Sequence, residues 1–251
     1  MVEWNLNLNH GSDPVPASKT INGRINAALE AENQAETPRD YLGASRLGEE
    51  CSRRLQYEYQ HTPRDHEFEG SILRIFQTGH MFEDLAIRWL RAGGYDLRIE
   101  KSNGDQYGFS VADGRIAGHI DGVLIGGPEG LIYPCLWECK SLNEKSWKDL
   151  VRRTARVATP VYYTQVQLYM AYMQLTDHPA VLTAVNKNTS GLWHEIIPFD
   201  PAEAQKHSDR GVQILRACDA GELLPRIASS SDFFKCKMCP YAKRCWNHGQ
   251  S

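Results

Sequence analysis

Two carboxylates and a lysine stand at a spacing that suits metal-assisted hydrolysis of phosphodiesters. Asp121 lies in the segment GHIDGVLI, and the segment ECK, residues 138–140, follows at the end of the next apolar run. On adjacent strands, Asp121 and Glu138 can bind a hard cation such as Mg²⁺ or Mn²⁺, with the Cys139 carbonyl as a further oxygen ligand. The metal would lower the pKa of a bound water, and the Lys140 ammonium would orient or stabilise the nucleophile. The motif is short, and ordinary polar strand residues can produce the same pattern.

A hairpin is predicted to bring these residues together. Its two strands cover 115–125 and 131–140, with the turn GGPEG between them. Because side chains alternate along a strand, His119 and Asp121 are expected on one face of the first strand. Glu138 and Lys140 are expected on one face of the second strand, so that two carboxylates and a lysine converge.

The strongest predicted helix precedes this hairpin. It covers roughly 70–92 and ends at Gly93 and Gly94. Its predicted apolar face contains Ile72, Ile75, Phe76, Phe82, Ala86, Trp89 and Leu90. Glu83 falls near the middle of this face, and His80 falls on its edge. A carboxylate in such a position is costly unless it is paired or binds a cation, so we expect His80 or Glu83 to be a metal ligand.

A helix predicted over 161–175 carries two further polar candidates. Gln165 and Tyr169 share a face because they are four residues apart. One interpretation is that they reach the edge of the active site and contact the nucleic-acid backbone or the lysine. Core packing is the equal alternative.

The cysteines form a second constellation. Their number, seven, is odd, and the chain starts without an apolar signal core, so metal ligands are considered before disulfides. The tail contains Cys236-x2-Cys239-x5-Cys245, and Cys51 is the best fourth ligand. The other three, Cys135, Cys139 and Cys218, fall in the predicted hairpin and last helix. The spacing leaves zinc and a 4Fe-4S cluster open, and either would link distant parts of the chain.

The whole pattern predicts three regions. Residues 1–40 are a polar lead-in with a helix near 21–32, residues 41–200 form the core, and 201–251 form a last helix and a cysteine-rich tail that packs back on Cys51. The core begins with a helix over 41–60, with Cys51 on its buried stripe. Further strands are predicted over 95–100, 106–112, 180–185 and 192–197.

Composition restricts the class of protein. The chain has 251 residues, of which 41% are apolar and 24% charged, which is typical of a soluble globular domain. The net charge is −3, so a polyanionic partner must be held by a local basic patch. No run of about 18 apolar residues predicts a membrane span, and we expect a cytoplasmic protein.

One basic patch suits a nucleic acid. The segment 140–156 has six basic residues against two acidic ones, a net charge of +4. The basic residues are Lys140, Lys145, Lys148, Arg152, Arg153 and Arg156. A solvated helix face is the alternative explanation.

In their order along the chain, the motifs resemble those of the PD-(D/E)xK nuclease superfamily, RecB-like branch. The matching segments are Gly79-His80 with Glu83, GHIDG at 118–122, ECK at 138–140, and Gln165-x3-Tyr169. The four cysteines, Cys51, Cys236, Cys239 and Cys245, resemble the iron-sulfur version of that branch, found in the AddB nuclease domain and the CRISPR-associated "Cas four" exonucleases. The resemblance covers roughly 41–246.

The resemblance implies an α/β fold with a central mixed sheet flanked by helices, DNA hydrolysis with one or two Mg or Mn ions, and a 4Fe-4S cluster rather than zinc. His80 resembles the family's metal-binding histidine, Asp121 and Glu138 its acidic ligands, Lys140 its catalytic lysine, and Gln165 and Tyr169 its QxxxY motif. The RecB pattern usually places the histidine several residues after the glycine, whereas here Gly79 and His80 are adjacent. Helical geometry favours Glu83 as the deeper group.

The motifs and the resemblance favour a metal-dependent DNA exonuclease, and the resemblance implies a preference for single-stranded ends. The chain has no Gly-Lys dipeptide, and hence no Walker A loop or motor of its own. A stand-alone CRISPR-associated or phage recombination and repair nuclease is expected, with recombination or CRISPR adaptation proteins and further copies of the chain as partners. A non-catalytic iron-sulfur DNA-binding or assembly factor and a flap endonuclease stay open as alternatives.

Overall fold

The structure, a computed structural model, describes residues 17–247. Within that range the chain forms two compact units. The first contains residues 17–37 and 68–77, and the second contains 38–67 and 78–247. The first sixteen residues of the predicted lead-in lie outside the described residues. Every candidate site residue named above belongs to the second unit.

The helices and strands are as follows. The α-helices are α1 Ala17–Ala35, α2 Ser52–Tyr59, α3 Gly70–Ala92, α4 Glu144–Ala158, α5 Pro160–Tyr172, α6 Pro201–Asp219, α7 Phe234–Lys237 and α8 Ala242–Asn247, and a 3-10 turn covers Ala44–Arg46. The strands are β1 Leu42–Gly43, β2 Asp96–Arg98, β3 Gly108–Val111, β4 Ile116–His119, β5 Gly122–Gly126, β6 Cys135–Leu142, β7 Ala180–Asn186 and β8 Leu192–Ile197.

Two mixed sheets confirm the predicted α/β class. The larger has the order β2-β5-β6-β7-β8, in which β6 and β7 run parallel and the other neighbours antiparallel. The smaller has the order β1-β4-β3. β7 is buried at every position, which explains its near-continuous apolar sequence. The strand order places the strand that carries the ECK segment at the centre of the larger sheet.

The predicted strand over 115–125 is in fact two strands in different sheets. β4 pairs with β3, whereas β5 pairs with β6, and the change occurs at Ile120 and Asp121. The Ile120 amide donates to the Tyr107 carbonyl at 3.0 Å, and the Ile120 carbonyl accepts from the Gln106 side chain at 3.1 Å. His119 is exposed at the end of β4, so the prediction that it shares a strand face with Asp121 is wrong.

The predicted helix over 41–60 is correct only at its end. The chain pairs as β1 with β4, makes a 3-10 turn, and becomes α-helical at Ser52. Gly48 lies in the turn before α2 and packs against α5, where an added Cβ would be 2.6 Å from the Val161 Cα. Cys51 is therefore the residue that caps α2, not a member of its buried stripe.

The long helix α3 has the predicted limits, but three residues of its predicted apolar face are exposed in its first half. Ala86 and Ile87 are buried, whereas Ile72, Ile75 and Phe76 are 38–50% exposed. The first eight residues of α3 belong to the smaller unit, where Gly70 donates its amide to the Glu30 carboxylate at 2.7 Å. The second half contributes to the core that contains Trp137. No helix in residues 17–247 has both the length and the apolar character needed to cross a membrane.

Candidate active site

Strand β6 supplies the central charged pair. Strand alternation directs Glu138 and Lys140 to the same face, where the Lys140 ammonium lies 2.5 Å from Glu138 Oε1. The Glu138 side chain is completely buried, and that of Lys140 is 20% exposed. Burial opposes the charge on Lys140, but the carboxylates of Glu138 and Asp121 outweigh it and raise the pKa of Lys140. The lysine is therefore a fixed cation at the solvent side of a buried carboxylate.

The break between β4 and β5 positions Asp121. Its Oδ2 accepts a hydrogen bond from the Cys139 backbone amide at 2.8 Å, between Glu138 and Lys140 in sequence. Pairing of Gly122 with Trp137 keeps this loop beside β6. The Cys139 side chain is buried, and only its backbone takes part here. The short connection between β4 and β5 thus brings the Asp121 carboxylate to the Glu138–Lys140 pair on β6.

Helix α5 adds the Gln165 amide. Its Nε2 donates a hydrogen bond to the same Glu138 oxygen that contacts Lys140. Tyr169, one turn later, is buried, and its ring lies 5.5 Å from that of Phe109, edge to face. Burial, followed by the nearby Glu138 carboxylate, raises the pKa of Tyr169. Gln165 thus contacts the charged pair directly, whereas Tyr169 packs behind it.

Glu83 approaches the same cluster from α3. Burial and the Asp121 carboxylate raise the pKa of Glu83 to about 7, and the Lys140 ammonium opposes this shift. One turn earlier, an added Cβ at Gly79 would lie 3.6 Å from the Ser141 hydroxyl of β6, so this part of α3 lies close to the sheet. His80 is exposed. The structure therefore brings Glu83, and not His80, into the electrostatic environment of the charged pair.

The group formed by Glu83, Asp121, Glu138 and Lys140 has three carboxyl groups against one ammonium. One of its carboxylate oxygens accepts no hydrogen bond from the described residues. Glu138 Oε2 is buried without a hydrogen-bond partner among the described residues. Burial and the Asp121 carboxylate raise the pKa of Glu138, against the effect of Lys140. As they lie, no three His, Cys, Asp or Glu side chains within residues 17–247 form a site for a single metal ion. An orphaned carboxylate oxygen beside two further carboxylates is nevertheless chemically suited to an added cation.

The four cysteines of the second constellation line one cavity of about 530 Å³. They are Cys51, Cys236, Cys239 and Cys245. Burial raises the pKa of the Cys236 thiol, and the Cys51 and Cys245 thiols add to this shift because they are close. Cys135, Cys139 and Cys218 do not line the cavity.

The tail is held against the α2 region by polar and aromatic contacts. Lys235 forms a 2.5 Å ion pair with Glu50, next to Cys51. The Lys243 amide donates to the Asp65 carboxylate at 2.8 Å. The Tyr57 and Tyr241 rings have centroids 5.4 Å apart. The tail forms the short helices α7 and α8 around the cysteines.

Comparison with solved structures shows which known folds this chain resembles. The crystal structure of an alkaline exonuclease (LHK-Exo) from Laribacter hongkongensis has a TM-score of 0.51 at 14% identity, covering 78% of this chain and 93% of that chain. The chain has a nuclease-like fold. LHK-Exo in complex with dAMP gives 0.46 at 15%, covering 79% and 93%, and SSO0001 gives 0.46 at 15%, covering 91% and 97%. No protein-family model and no curated protein matches the sequence.

The predicted basic patch, apart from Lys140 on β6, extends along α4. Its basic side chains, Lys145, Lys148, Arg152, Arg153 and Arg156, are all exposed. Most have an acidic neighbour: Lys148 pairs with Glu144, Arg152 and Arg153 share Asp149, and Arg156 pairs with Asp200. Lys145 forms no ion pair with the described residues. The helix is interrupted at Thr154, whose φ is 64°, and the Glu195 carboxylate accepts from the next amide at 2.8 Å.

Two neighbours of the candidate sites, Tyr162 beside Lys140 and Arg53 beside Cys245, are not predicted by the sequence. Tyr162 contacts the lysine, since the Lys140 ammonium lies 5.3 Å from its ring centroid. Tyr162 and Tyr163 are adjacent in the sequence, but no periodicity links them to β6. Arg53 contacts a cysteine: its Nη1 donates to Cys245 Sγ at 3.7 Å. Nothing in the sequence distinguishes Arg53 from the adjacent Arg54, which pairs with Glu49 and Glu58.

Proposed function

We propose that this protein is a divalent-metal-dependent DNA exonuclease of the RecB-like branch that acts on single-stranded ends. The observation that carries this proposal is the unpartnered, buried Glu138 Oε2 beside Asp121 and Glu83, on a fold similar to that of an exonuclease. A buried carboxylate without a donor is unfavourable in a purely structural role. A cation would remove that cost.

The metal ligands would be Asp121, Glu138 and Glu83, with the Cys139 carbonyl as a further oxygen donor and His80 as the alternative to Glu83. These are the hard oxygen ligands that Mg²⁺ and Mn²⁺ prefer. When bound, the metal would neutralise charge on the scissile phosphate and lower the pKa of a water. Because Lys140 and Gln165 contact Glu138 Oε1, they would leave Oε2 for the metal.

The other residues of the site would orient the reacting groups. Lys140 combines an ammonium with 20% exposure, so it can hold a water or a phosphate oxygen while paired with Glu138. The Tyr162 ring lies 5.3 Å from the ammonium and would stabilise it by a cation–π contact. Gln165 fixes the Glu138 carboxylate, and Tyr169 supports that carboxylate from within the core. These are positioning roles, and only Lys140 would touch the reacting atoms.

We further propose a 4Fe-4S cluster bound by Cys51, Cys236, Cys239 and Cys245. The four thiols line one cavity, and their pattern in the sequence resembles that of the iron-sulfur nucleases. A zinc ion needs four ligands at about 2.0–2.3 Å from one point. A four-iron cluster has its own volume and takes one thiolate at each iron, which suits ligands spaced around a cavity. The cluster would hold the α2 region and the tail together.

The exposed basic side chains of α4 would contact the DNA backbone. Lys145, Lys148, Arg152, Arg153 and Arg156 follow directly after β6 in sequence, so the patch begins close to the proposed catalytic lysine. Phosphate contacts of this kind give affinity without sequence preference. The expected context is a stand-alone nuclease of a CRISPR or phage system, with recombination or adaptation proteins as partners.

The decisive experiment measures cleavage by anaerobically purified protein. Linear single-stranded DNA labelled at either end is incubated with Mg²⁺ or Mn²⁺, in parallel with circular DNA and with EDTA. We expect metal-dependent release of short products from linear DNA and none from the circle. Glu138→Gln, which keeps the shape of the side chain, serves as the inactive control. Cleavage of the circle would indicate an endonuclease, and equal activity of Glu138→Gln would contradict the proposed site.

A further inference from the structure

Two arginines that are not exposed, Arg53 of the cavity lining and Arg210 outside it, form no ion pair with the described carboxylates. The exposed Arg226, which also lines the cavity, donates to the Cys245 carbonyl at 2.7 Å. Arg53, in the first turn of α2, is only 9% exposed. Its Nε donates to the Leu224 carbonyl, and its Nη1 donates to Cys245 Sγ at 3.7 Å. Arg210, on α6, donates to the Ser52 hydroxyl at 2.8 Å and to the Leu47 carbonyl at 2.9 Å.

Neither guanidinium forms an ion pair with a carboxylate of residues 17–247, although each is largely surrounded by protein. Arg210 Nη2 is buried and has no hydrogen-bond partner among those residues. An unpaired buried cation is expensive, because a guanidinium gives up strong hydration when it leaves water. Arg46 and Arg54, which line the same cavity, do have acidic partners in Glu49 and Glu58. Arg53 has no such partner. At Arg210, burial lowers the pKa, and the Cys51 thiol, followed by the Glu49 and Glu50 carboxylates, offsets only part of this shift.

The thiols can supply negative charge. Arg53 donates directly to Cys245, and Arg210 is bonded to Ser52, the residue after Cys51. Four thiolates carry more negative charge than an iron-sulfur core neutralises, so the complete site would be an anion. Arg53 on α2 lies beside Cys245, and Arg210 on α6 lies near Cys51. These two guanidiniums would balance the negative charge of the site.

We propose that Arg53 and Arg210 are the counter-cations and N–H donors of the cysteine-bound cluster, and that they set its reduction potential. This inference rests on the cluster of the proposed function. Positive charge and hydrogen bonds to sulfur stabilise the more negative, reduced state, and hence raise the potential. Both arginines act through the thiolates and are positioning residues.

The test is the midpoint potential of the cluster in anaerobically purified protein. A redox titration followed by electron paramagnetic resonance compares the parent with Arg53→Gln, Arg53→Lys and Arg210→Gln. Arg98→Gln is the control, since Arg98 is exposed and pairs with Asp96 on β2. We expect Arg53→Gln to destabilise the reduced form about tenfold, equivalent to a potential lower by ~59 mV for one electron. Arg53→Lys should recover part of this shift because it keeps the charge.

Each result distinguishes this inference from the proposal on which it rests. Parental potentials in both glutamine variants, with the cluster fully loaded, would overturn the role of the arginines alone. A parent protein that binds no cluster would overturn the cluster and the inference together. If Arg53→Gln loses its cluster during purification while Arg53→Lys retains it, the need for a cation is supported. Circular dichroism of each variant checks that the fold is intact.

Discussion

The Lys140 ammonium and the Glu138 carboxylate, two residues apart on β6, form a 2.5 Å ion pair at the point where Gln165 also donates to Glu138. Both contacts use the same carboxylate oxygen, Oε1, and the second oxygen is left buried without a donor. The arrangement is costly for folding alone, because the carboxylate is only half satisfied. A metal ion bound at the free oxygen would offset this cost.

Lys140→Met should abolish cleavage and also destabilise the protein. The substitution removes the ammonium but keeps an unbranched side chain, so Glu138 loses its ion pair with Lys140. Removing one partner of a buried ion pair costs about 3–5 kcal/mol, and protonation of Glu138 would offset part of it, so we expect a loss of about 2 kcal/mol. Urea unfolding measures the stability, and single-turnover cleavage should fall by a factor on the order of 10² or more. Unchanged stability would mean that the ion pair is not formed in solution.

Glu83→Gln should impair metal binding and cleavage far more than His80→Ala. Glu83 interacts with Asp121 and Lys140, whereas His80 is exposed. Glutamine keeps the size of the side chain and removes the charge that a cation would neutralise. Asp84→Asn is the matched control, since Asp84 is the adjacent, exposed carboxylate. Mn²⁺ titration by calorimetry measures affinity, and a large loss in His80→Ala with none in Glu83→Gln would reverse the assignment.

In the absence of metal, Glu83 should make the protein less stable as the pH rises. Its folded-state pKa of about 7 lies above the ordinary value of about 4.3 for an unfolded chain. Between these values the folded state binds more protons, so this contribution to stability is full below about pH 4 and is lost through about pH 7. Glu138 acts in the same direction because burial raises its pKa.

Urea unfolding in EDTA at several pH values between 5 and 8 measures this contribution. The difference in free energy of unfolding between the parent and Glu83→Gln should shift in favour of the glutamine variant as the pH rises. Added Mg²⁺ should reverse the trend, because the metal binds the ionised carboxylates. A pH-independent difference would show that Glu83 has an ordinary pKa.

Local patterns predicted the elements that carry the active site. Alternation alone placed Glu138 and Lys140 on one face of a strand, and the 3.6-residue period gave the limits of α3. The same period placed Glu83 on the side of α3 that meets the sheet. These predictions succeeded because each depends on one buried face of one regular element.

The sequence could not reveal features set by contacts between distant segments. The break at Ile120 depends on pairing with Tyr107 and Gln106, and the turn before Cys51 includes Gly48, which packs closely against Val161. In isolation both segments resemble continuous elements. The exposed apolar residues of α3 were misassigned because the start of the helix belongs to a different unit from its end.

Removing exposed charges from α4 should weaken DNA binding and reduce its dependence on salt. Lys145→Ala and Arg152→Ala remove two exposed side chains, the second 76% exposed. Each lost phosphate contact on a single strand should lower the slope of log K against log salt by about 0.7. Fluorescence anisotropy at several salt concentrations measures the slope, with Lys101→Ala, on an exposed loop, as the control. An unchanged slope would identify α4 as a solvated surface.

Cysteine substitutions separate the metal-binding role of the cavity from its part in folding. Protein purified without oxygen should be brown, with a broad absorption band near roughly 400 nm and about four irons per chain. Cys51→Ala and Cys239→Ala should both lose the colour. Cys218→Ala is the control, because this half-buried thiol lies on α6 and does not line the cavity. A colourless parent with one zinc per chain would exclude the iron-sulfur cluster.

The same three variants test whether the metal holds the tail. Contacts such as Lys235 with Glu50 are exposed enough that they should contribute at most about 1 kcal/mol each, so they would hold α7 and α8 only weakly without the metal. Cys51→Ala should therefore lower the melting temperature and expose the tail to limited proteolysis after Leu224, although the substituted residue is far from it in sequence. Cys218→Ala should be cut as slowly as the parent. If Cys51→Ala melts and is cut like the parent, the cavity contributes nothing to the attachment of the tail, whichever metal it binds.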